Sequence, residues 1–77
     1  MVVGFIFIRT NPHMEVTAYR ELMKIPEIIE LNPLFGEYDL IAKVEARDFN
    51  RLSRIVINRI RKVPGVEETE TLPGIKI

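Results

Sequence analysis

Val2 to Ile8 is almost wholly apolar and rich in β-branched and aromatic residues, too short a run for a good helix and well suited to a strand. Its two faces, Val2/Gly4/Ile6/Ile8 and Val3/Phe5/Phe7, are both hydrophobic, so both should be buried. The chain's own helices can cover one face; the other needs a different cover. From Asn11 the apolar period lengthens. Asn11-Pro12 is a helix start, with Asn as the cap and Pro at the first helical position. Met14, Ala18, Leu22 and Ile25 then form one stripe in a helix running to about Lys24, and Pro26 ends it. Val16 and Met23 fall on the opposite side, where a water-facing surface would be polar.

Glu27 to Leu34 reads as a second strand. Pro33 lacks an amide proton, so this strand should lie at a sheet edge or bulge near its end. Gly36 permits a turn, and Asp39 to Ala46 forms a third strand in which Leu40, Ala42, Val44 and Ala46 alternate with Ile41, Lys43 and Glu45. Asp48 caps a second helix from Phe49 to about Val63, with an apolar stripe of Phe49, Leu52, Val56, Ile60 and Val63. Pro64-Gly65 stops it, and Val66 to Leu72 is the fourth strand. Pro73-Gly74 breaks that strand, and Ile75-Lys76-Ile77 has the pattern to pair briefly again.

The order strand, helix, strand, strand, helix, strand, joined by right-handed crossovers, predicts an α+β, ferredoxin-like fold. The first and third strands occupy the middle of a four-stranded antiparallel sheet, and both helices cover one face. The other face is apolar on its central strand, which is an interaction signal. Two such sheets should pack face to face in a dimer. Lys43 and Glu45 on that face must then pair across the contact or sit at its rim, since unpaired buried charge is costly.

Length and composition sharpen this picture. With 77 residues the chain is a single domain, residues 1–77. A domain this small buries only about 60 % of its unfolded surface, and its one core supplies about 3–5 kcal/mol. Cysteine is absent, so disulfides and thiolate metal sites are excluded, and His13 is the single histidine, so no histidine cluster can form within one subunit. Oligomerisation remains, and 47 % hydrophobic content favours it. Eleven basic and eleven acidic residues cancel, which argues against nucleic acid as the main partner. No apolar run approaches the roughly 20 residues of a membrane span. The start shows no basic region followed by a cleavage site, so the expected compartment is the cytoplasm.

Few side chains suggest chemistry. Asp39, beside the turn, can hold an ammonium group or simply cap backbone amides. Tyr38 can stack on a ligand or pack with its hydroxyl wet. Gly36 can admit a ligand close to the backbone or merely supply a positive φ. Thr69 and Thr71 share one face of the last strand and Glu68 and Glu70 the other; the hydroxyls can bind a carboxylate or amine, or reflect β-propensity alone. His13 has no nucleophilic partner nearby, and Ser53, the one serine, lies mid-helix. Arg51, Arg54, Arg61 and Lys62 cluster on the far side of the second helix, where a solvated face with ion pairs is the ordinary explanation.

Two stretches carry a resemblance. Gly36-Glu37-Tyr38-Asp39-Leu40, preceded by Ile25-Pro26, and Pro64-Gly65-Val66 with Thr69-Glu70-Thr71, preceded by Asp48 and Leu52, resemble in order and spacing the effector-binding (RAM) domain of the Lrp/AsnC, or feast/famine, transcription regulators. The resemblance covers nearly the whole chain. It implies dimers formed through the sheets, rings of dimers (commonly octamers), and a small effector, usually an amino acid, held where dimers meet. It implies that Gly36, Glu37, Tyr38 and Asp39 contribute loop amides and a carboxylate, and that Thr69 and Thr71 come from the last strand of another subunit. Full-length members also carry a helix-turn-helix domain. Here the first strand begins at Val2, so a stand-alone version is expected, with no direct nucleic-acid binding, no membrane and no cofactor. It would sense an amino acid, or join full-length Lrp/AsnC regulators in mixed assemblies. The alternative from a different class is a small dimeric α+β-barrel enzyme, such as a cofactor-free monooxygenase, with His13 as its catalytic residue and a deep pocket between sheet and helices.

Overall fold

The computed structural model describes residues 1–74. Its elements are β1 (Val2–Thr10), α1 (Glu15–Met23), β2 (Ile28–Pro33), β3 (Leu40–Ala46), α2 (Phe49–Ile55) and β4 (Val66–Pro73), with a π-helical stretch, Val56–Ile60, continuing α2. The short pairing expected at Ile75-Lys76-Ile77 lies outside the described residues. All strand neighbours are antiparallel, in the order β2-β3-β1-β4, so the fold is ferredoxin-like with β1 and β3 central. Pro33 sits on edge strand β2, where a missing amide costs no ladder bond.

The period-two pattern of β1 sorts its residues as expected. Gly4, Ile6, Ile8 and Thr10 face the helices and are buried, whereas Val3, Phe5, Phe7 and Arg9 face the open side. On β3, Leu40, Ala42, Val44 and Ala46 are buried on the same inner face. Against them pack Leu22 and Ile25 from α1 and its end, and Leu52, Ile55, Val56 and Ile60 from the second helix. Each fully buried aliphatic side chain here contributes about 1.5–3 kcal/mol of transfer free energy. Gly4 lets α2 approach β1: a Cβ there would lie 2.6 Å from Leu52 Cδ2.

Four local expectations change. Pro73-Gly74 does not break the last strand: β4 includes Pro73, which is paired with Gly4, and the Gly74 amide donates to Val3 O at 2.6 Å. The first helix is regular only from Glu15. Asn11 Oδ1 accepts from the His13 amide at 2.9 Å, and Asn11 O accepts from the Met14 amide, so Asn11 closes an Asx turn ahead of the helix instead of capping it. Phe49 is not in the core; it is 47 % exposed, and Ile55 takes its place beside Leu52 and Val56. The second helix also ends at Ile60, before Val63. Positions spaced by four drift around an α-helix by about 40° per repeat. The wider turn closed by Arg61 N to Val56 O at 2.8 Å takes up that drift and keeps Leu52, Val56 and Ile60 on one face. Asp48 caps α2 as expected, its Oδ1 accepting from the Arg51 amide at 2.7 Å.

The open sheet face is apolar at its centre. Phe5 and Leu72 are paired across β1 and β4, and both are exposed; Phe7 and Ile41 are paired across β1 and β3. Lys43 on this face reaches Glu30 of β2 at 3.6 Å, so it finds a partner within its own chain.

Candidate functional site

The β2–β3 loop, residues 34–39, is closed at its base by Leu34 N to Asp39 O, 2.8 Å. At its tip Gly36 has φ of +126°, a conformation that L side chains rarely adopt. Phe35 beside it is fully exposed. Asp39 ends the loop by tying it to β1: its amide donates to Ile8 O at 2.9 Å, and its Oδ2 accepts from the Thr10 amide at 2.7 Å and the Thr10 hydroxyl at 3.3 Å. Thr10 is buried and lies where β1 shifts register against β4, so its amide depends on this carboxylate.

Between the loop and α1 is a cleft of about 770 Å³. Val16, Tyr19, Pro33, Leu34 and Phe35 give it apolar walls, with Gly36 and Asp39 on the loop side. Glu15 and Arg20 add one charge of each sign. Among the described residues neither has an ion-pair partner. Val16, on the face of α1 that should have been polar, is 64 % exposed and lines this cleft. Its size is that of a small-ligand site, with an apolar lining and a few polar groups for orientation.

A second cluster occupies the opposite side of the loop. The Tyr38 ring packs on Phe7, 5.6 Å between centroids, and Arg9 lies 5.2 Å from the Tyr38 centroid. The Tyr38 hydroxyl donates to Glu68 at 3.3 Å, and Arg9 bridges Glu37 and Glu68 at 3.4 Å each. Partial desolvation, and then the Glu70 and Glu68 carboxylates, push the Tyr38 phenol above its ordinary value.

The sequence profile described as the Lrp/AsnC ligand binding domain matches residues 3–76. The chain belongs to the Lrp/AsnC ligand-binding domain family. It is 37 % identical over 72 residues to an HTH-type transcriptional regulator of Pyrococcus abyssi, covering 90 % of this chain and 48 % of that one. It is 38 % identical over 71 residues to a homocitrate synthase of Sulfurisphaera tokodaii, covering 91 % of this chain and 15 % of that enzyme. The chain thus spans about half the length of the regulators it matches. Among solved structures, FFRP-DM1 superimposes with a TM-score of 0.91 at 36 % identity, covering 97 % of this chain and all of that one. A transcriptional regulator from Neisseria meningitidis, in complex with L-Met, shares the fold with a TM-score of 0.88 at 21 % identity, covering 97 % of this chain and 50 % of that chain.

Within this Lrp/AsnC domain the residues singled out from the sequence separate into three places. Gly36 and Asp39 line the cleft. Glu37 and Tyr38 turn to the open sheet face, in contact with Arg9 and Glu68. Thr69 and Thr71 are paired with Ile8 and Ile6, which puts their side chains on the helix side of edge strand β4, away from the cleft lining. Asp39 caps an amide, but on the neighbouring strand and not in its own turn. Glu15, Tyr19, Arg20 and Phe35 were missed as cleft residues; Val16 was the one signal on α1, an apolar side chain on a face with no core to meet. His13 is exposed in the turn before α1 and does not line the cleft. The space between sheet and helices, where a barrel enzyme would hold its substrate, is filled by the core side chains.

Proposed function

We propose that this Lrp/AsnC domain is a non-enzymatic regulatory module that binds a free amino acid and works through its state of assembly. The observation that supports this most is the cleft between α1 and the β2–β3 loop. A free amino acid is a zwitterion with a side chain, and the cleft offers it an unpaired carboxylate at Glu15, an unpaired guanidinium at Arg20 and apolar walls. Gly36, Glu37, Tyr38 and Asp39 supply the loop, and Thr69 and Thr71 approach from another subunit. The open sheet face carries Phe5, Phe7, Ile41 and Leu72 and is the contact of a dimer. Exposed Val16 and Phe35 at the cleft rim bring dimers together into a ring, so a ligand in the cleft and a neighbouring dimer bias each other. The module acts on transcription by this self-assembly or by joining full-length Lrp/AsnC regulators. The homocitrate synthase relative supports a second reading, in which such a module serves as the effector-sensing part of an enzyme.

Light-scattering mass after size exclusion, with and without a mixture of the twenty amino acids, tests the assembly. A ring of dimers, or a mass that changes with the mixture, is expected. Calorimetric titration with the components then identifies the ligand, and Arg20→Ala should weaken it about 10- to 100-fold, the worth of a hydrogen bond to a charged group. A monomer that binds no amino acid defeats the proposal.

A further inference from the structure

The zero formal charge conceals a separation along the chain. Residues 47–62 hold six of the eleven basic side chains and a single carboxylate, Asp48. Three depressions of about 380, 260 and 380 Å³ lie end to end along this part of the second helix. The first two share Glu27, Arg51 and Ile55, and the last two share Asn58 and Arg59, so together they form one groove. The second helix forms one wall; the end of α1 and the adjoining ends of β2 and β3 form the other.

Arg47, Arg51, Arg54, Arg59 and Lys62 line this groove, with Lys24 opposite. The carboxylates in it are Glu21, Glu27 and Glu45. Glu21 is held by Lys24 at 2.6 Å and Glu27 by Arg59 at 3.6 Å. Among the described residues Arg51, Arg54 and Lys62 meet no carboxylate within ion-pair distance. The ion pairs that would make this an ordinary solvated face are therefore missing at three of its cations.

We infer that this groove docks the sugar–phosphate backbone of duplex DNA. From Arg51 to Arg59, the part of the groove carried by the helix, the rise is about 12 Å, which spans three to four phosphates of one strand at about 3.4 Å each along the duplex axis. Four of the six cations are arginines, whose planar fork fits phosphate oxygens in pairs. Among the described residues no aromatic side chain lines the groove, so it offers no platform on which unpaired bases would stack, and the duplex backbone fits it better than a single strand. Glu45 of the open face borders one end of the groove, but Arg51, Arg54, Arg59 and Lys62 follow the second helix on the other side of the sheet, so pairing of the open face leaves them accessible. Overall neutrality, which argued against nucleic acid as the main partner, limits this contact to weak, sequence-independent binding, on the order of 10⁻⁴–10⁻⁶ M at physiological salt. The inference stands independently of the effector reading.

The test is fluorescence anisotropy of a labelled 30-base-pair duplex of arbitrary sequence, titrated with the full chain at several salt concentrations. The expected result is binding whose log–log salt slope is about −3, one phosphate for each unpaired cation. Arg51→Gln with Arg54→Gln should weaken binding at least tenfold and bring the slope to about −1. His13→Glu with Thr17→Glu lowers the net charge by the same amount at the far end of α1 and should leave affinity within about threefold; circular dichroism checks that both variants fold. No binding at 50 mM salt and 100 µM protein overturns the inference. So does an equal loss in the two double variants, or tighter binding of single strands or of poly-glutamate than of the duplex.

Discussion

Asp39→Ala isolates the contact on which the β2–β3 loop depends. The carboxylate accepts from the Thr10 amide at 2.7 Å, and Thr10 is only 4 % exposed. Truncation leaves that amide without a partner and with little access to water, which costs about 1–3 kcal/mol. The hydroxyl contact at 3.3 Å is long, and its loss adds little. A net loss of about 2 kcal/mol is expected, or a melting temperature lower by about 8–16 °C for a domain of this size. Asp39→Asn keeps an oxygen for the amide and should lose less than half as much. Thr10→Val removes only the hydroxyl and should cost about 0.5 kcal/mol. Guanidinium unfolding followed by circular dichroism reads all three variants, at one fixed protein concentration because assembly contributes to apparent stability. Asp39→Ala within 0.5 kcal/mol of the parent, or Asp39→Asn as damaging as Asp39→Ala, would refute the reasoning. Should Asp39→Asn fold normally and still lose an amino-acid ligand, the carboxylate acts on the ligand as well as on Thr10.

Two further outcomes follow from single residues. Tyr38 should ionise above the usual tyrosine range, as read from phenolate absorbance at high pH in a Tyr19→Phe background, and the shift should shrink in Glu68→Gln with Glu70→Gln. Because the folded state keeps this proton longer than the unfolded chain, its contribution is full below pH 10 and lost as pH rises through the raised value; a Tyr38 that titrates at or below the free value contradicts the assignment. Gly65→Ala should destabilise by about 2–4 kcal/mol in a thermal melt, since φ is +95° and the new Cβ would lie 3.0 Å from Met14 O and 2.9 Å from Met14 Cβ; an unchanged melt would show that the turn can relax.

The alternation in β1 and β3, the cap at Asp48 and the stop at Pro26 were legible because each acts over a few residues; the second helix ended at Ile60, ahead of the stop read at Pro64-Gly65. The start of α1 was not. Asn11 and Pro12 carry the right signals for a helix cap, but the Asn11 carbonyl and side chain close a turn instead, and the neighbouring Gly65 carbonyl takes the Asn11 amide at 2.8 Å. That last contact joins residues 54 positions apart, beyond any local rule. Phe49 was misplaced for a similar reason: helical spacing named the stripe, whereas the wide turn at Val56–Ile60 and the contact of Leu52 with Gly4 chose which residues meet the sheet.

The site divides along the same line. The motifs Gly36-Glu37-Tyr38-Asp39 and Thr69-Glu70-Thr71 could be read off the chain, as could the apolar open face of β1. Only the fold shows that Gly36 and Asp39 share a cleft with Glu15, Arg20 and Phe35, while Tyr38 and Glu37 turn to the opposite side to meet Arg9 and Glu68. Periodicity determines which residues of one element share a face, because backbone geometry repeats within it. Which faces of different elements come together, and which cations are left without carboxylates, depends on packing between residues distant in sequence, and that was decided by the tertiary structure.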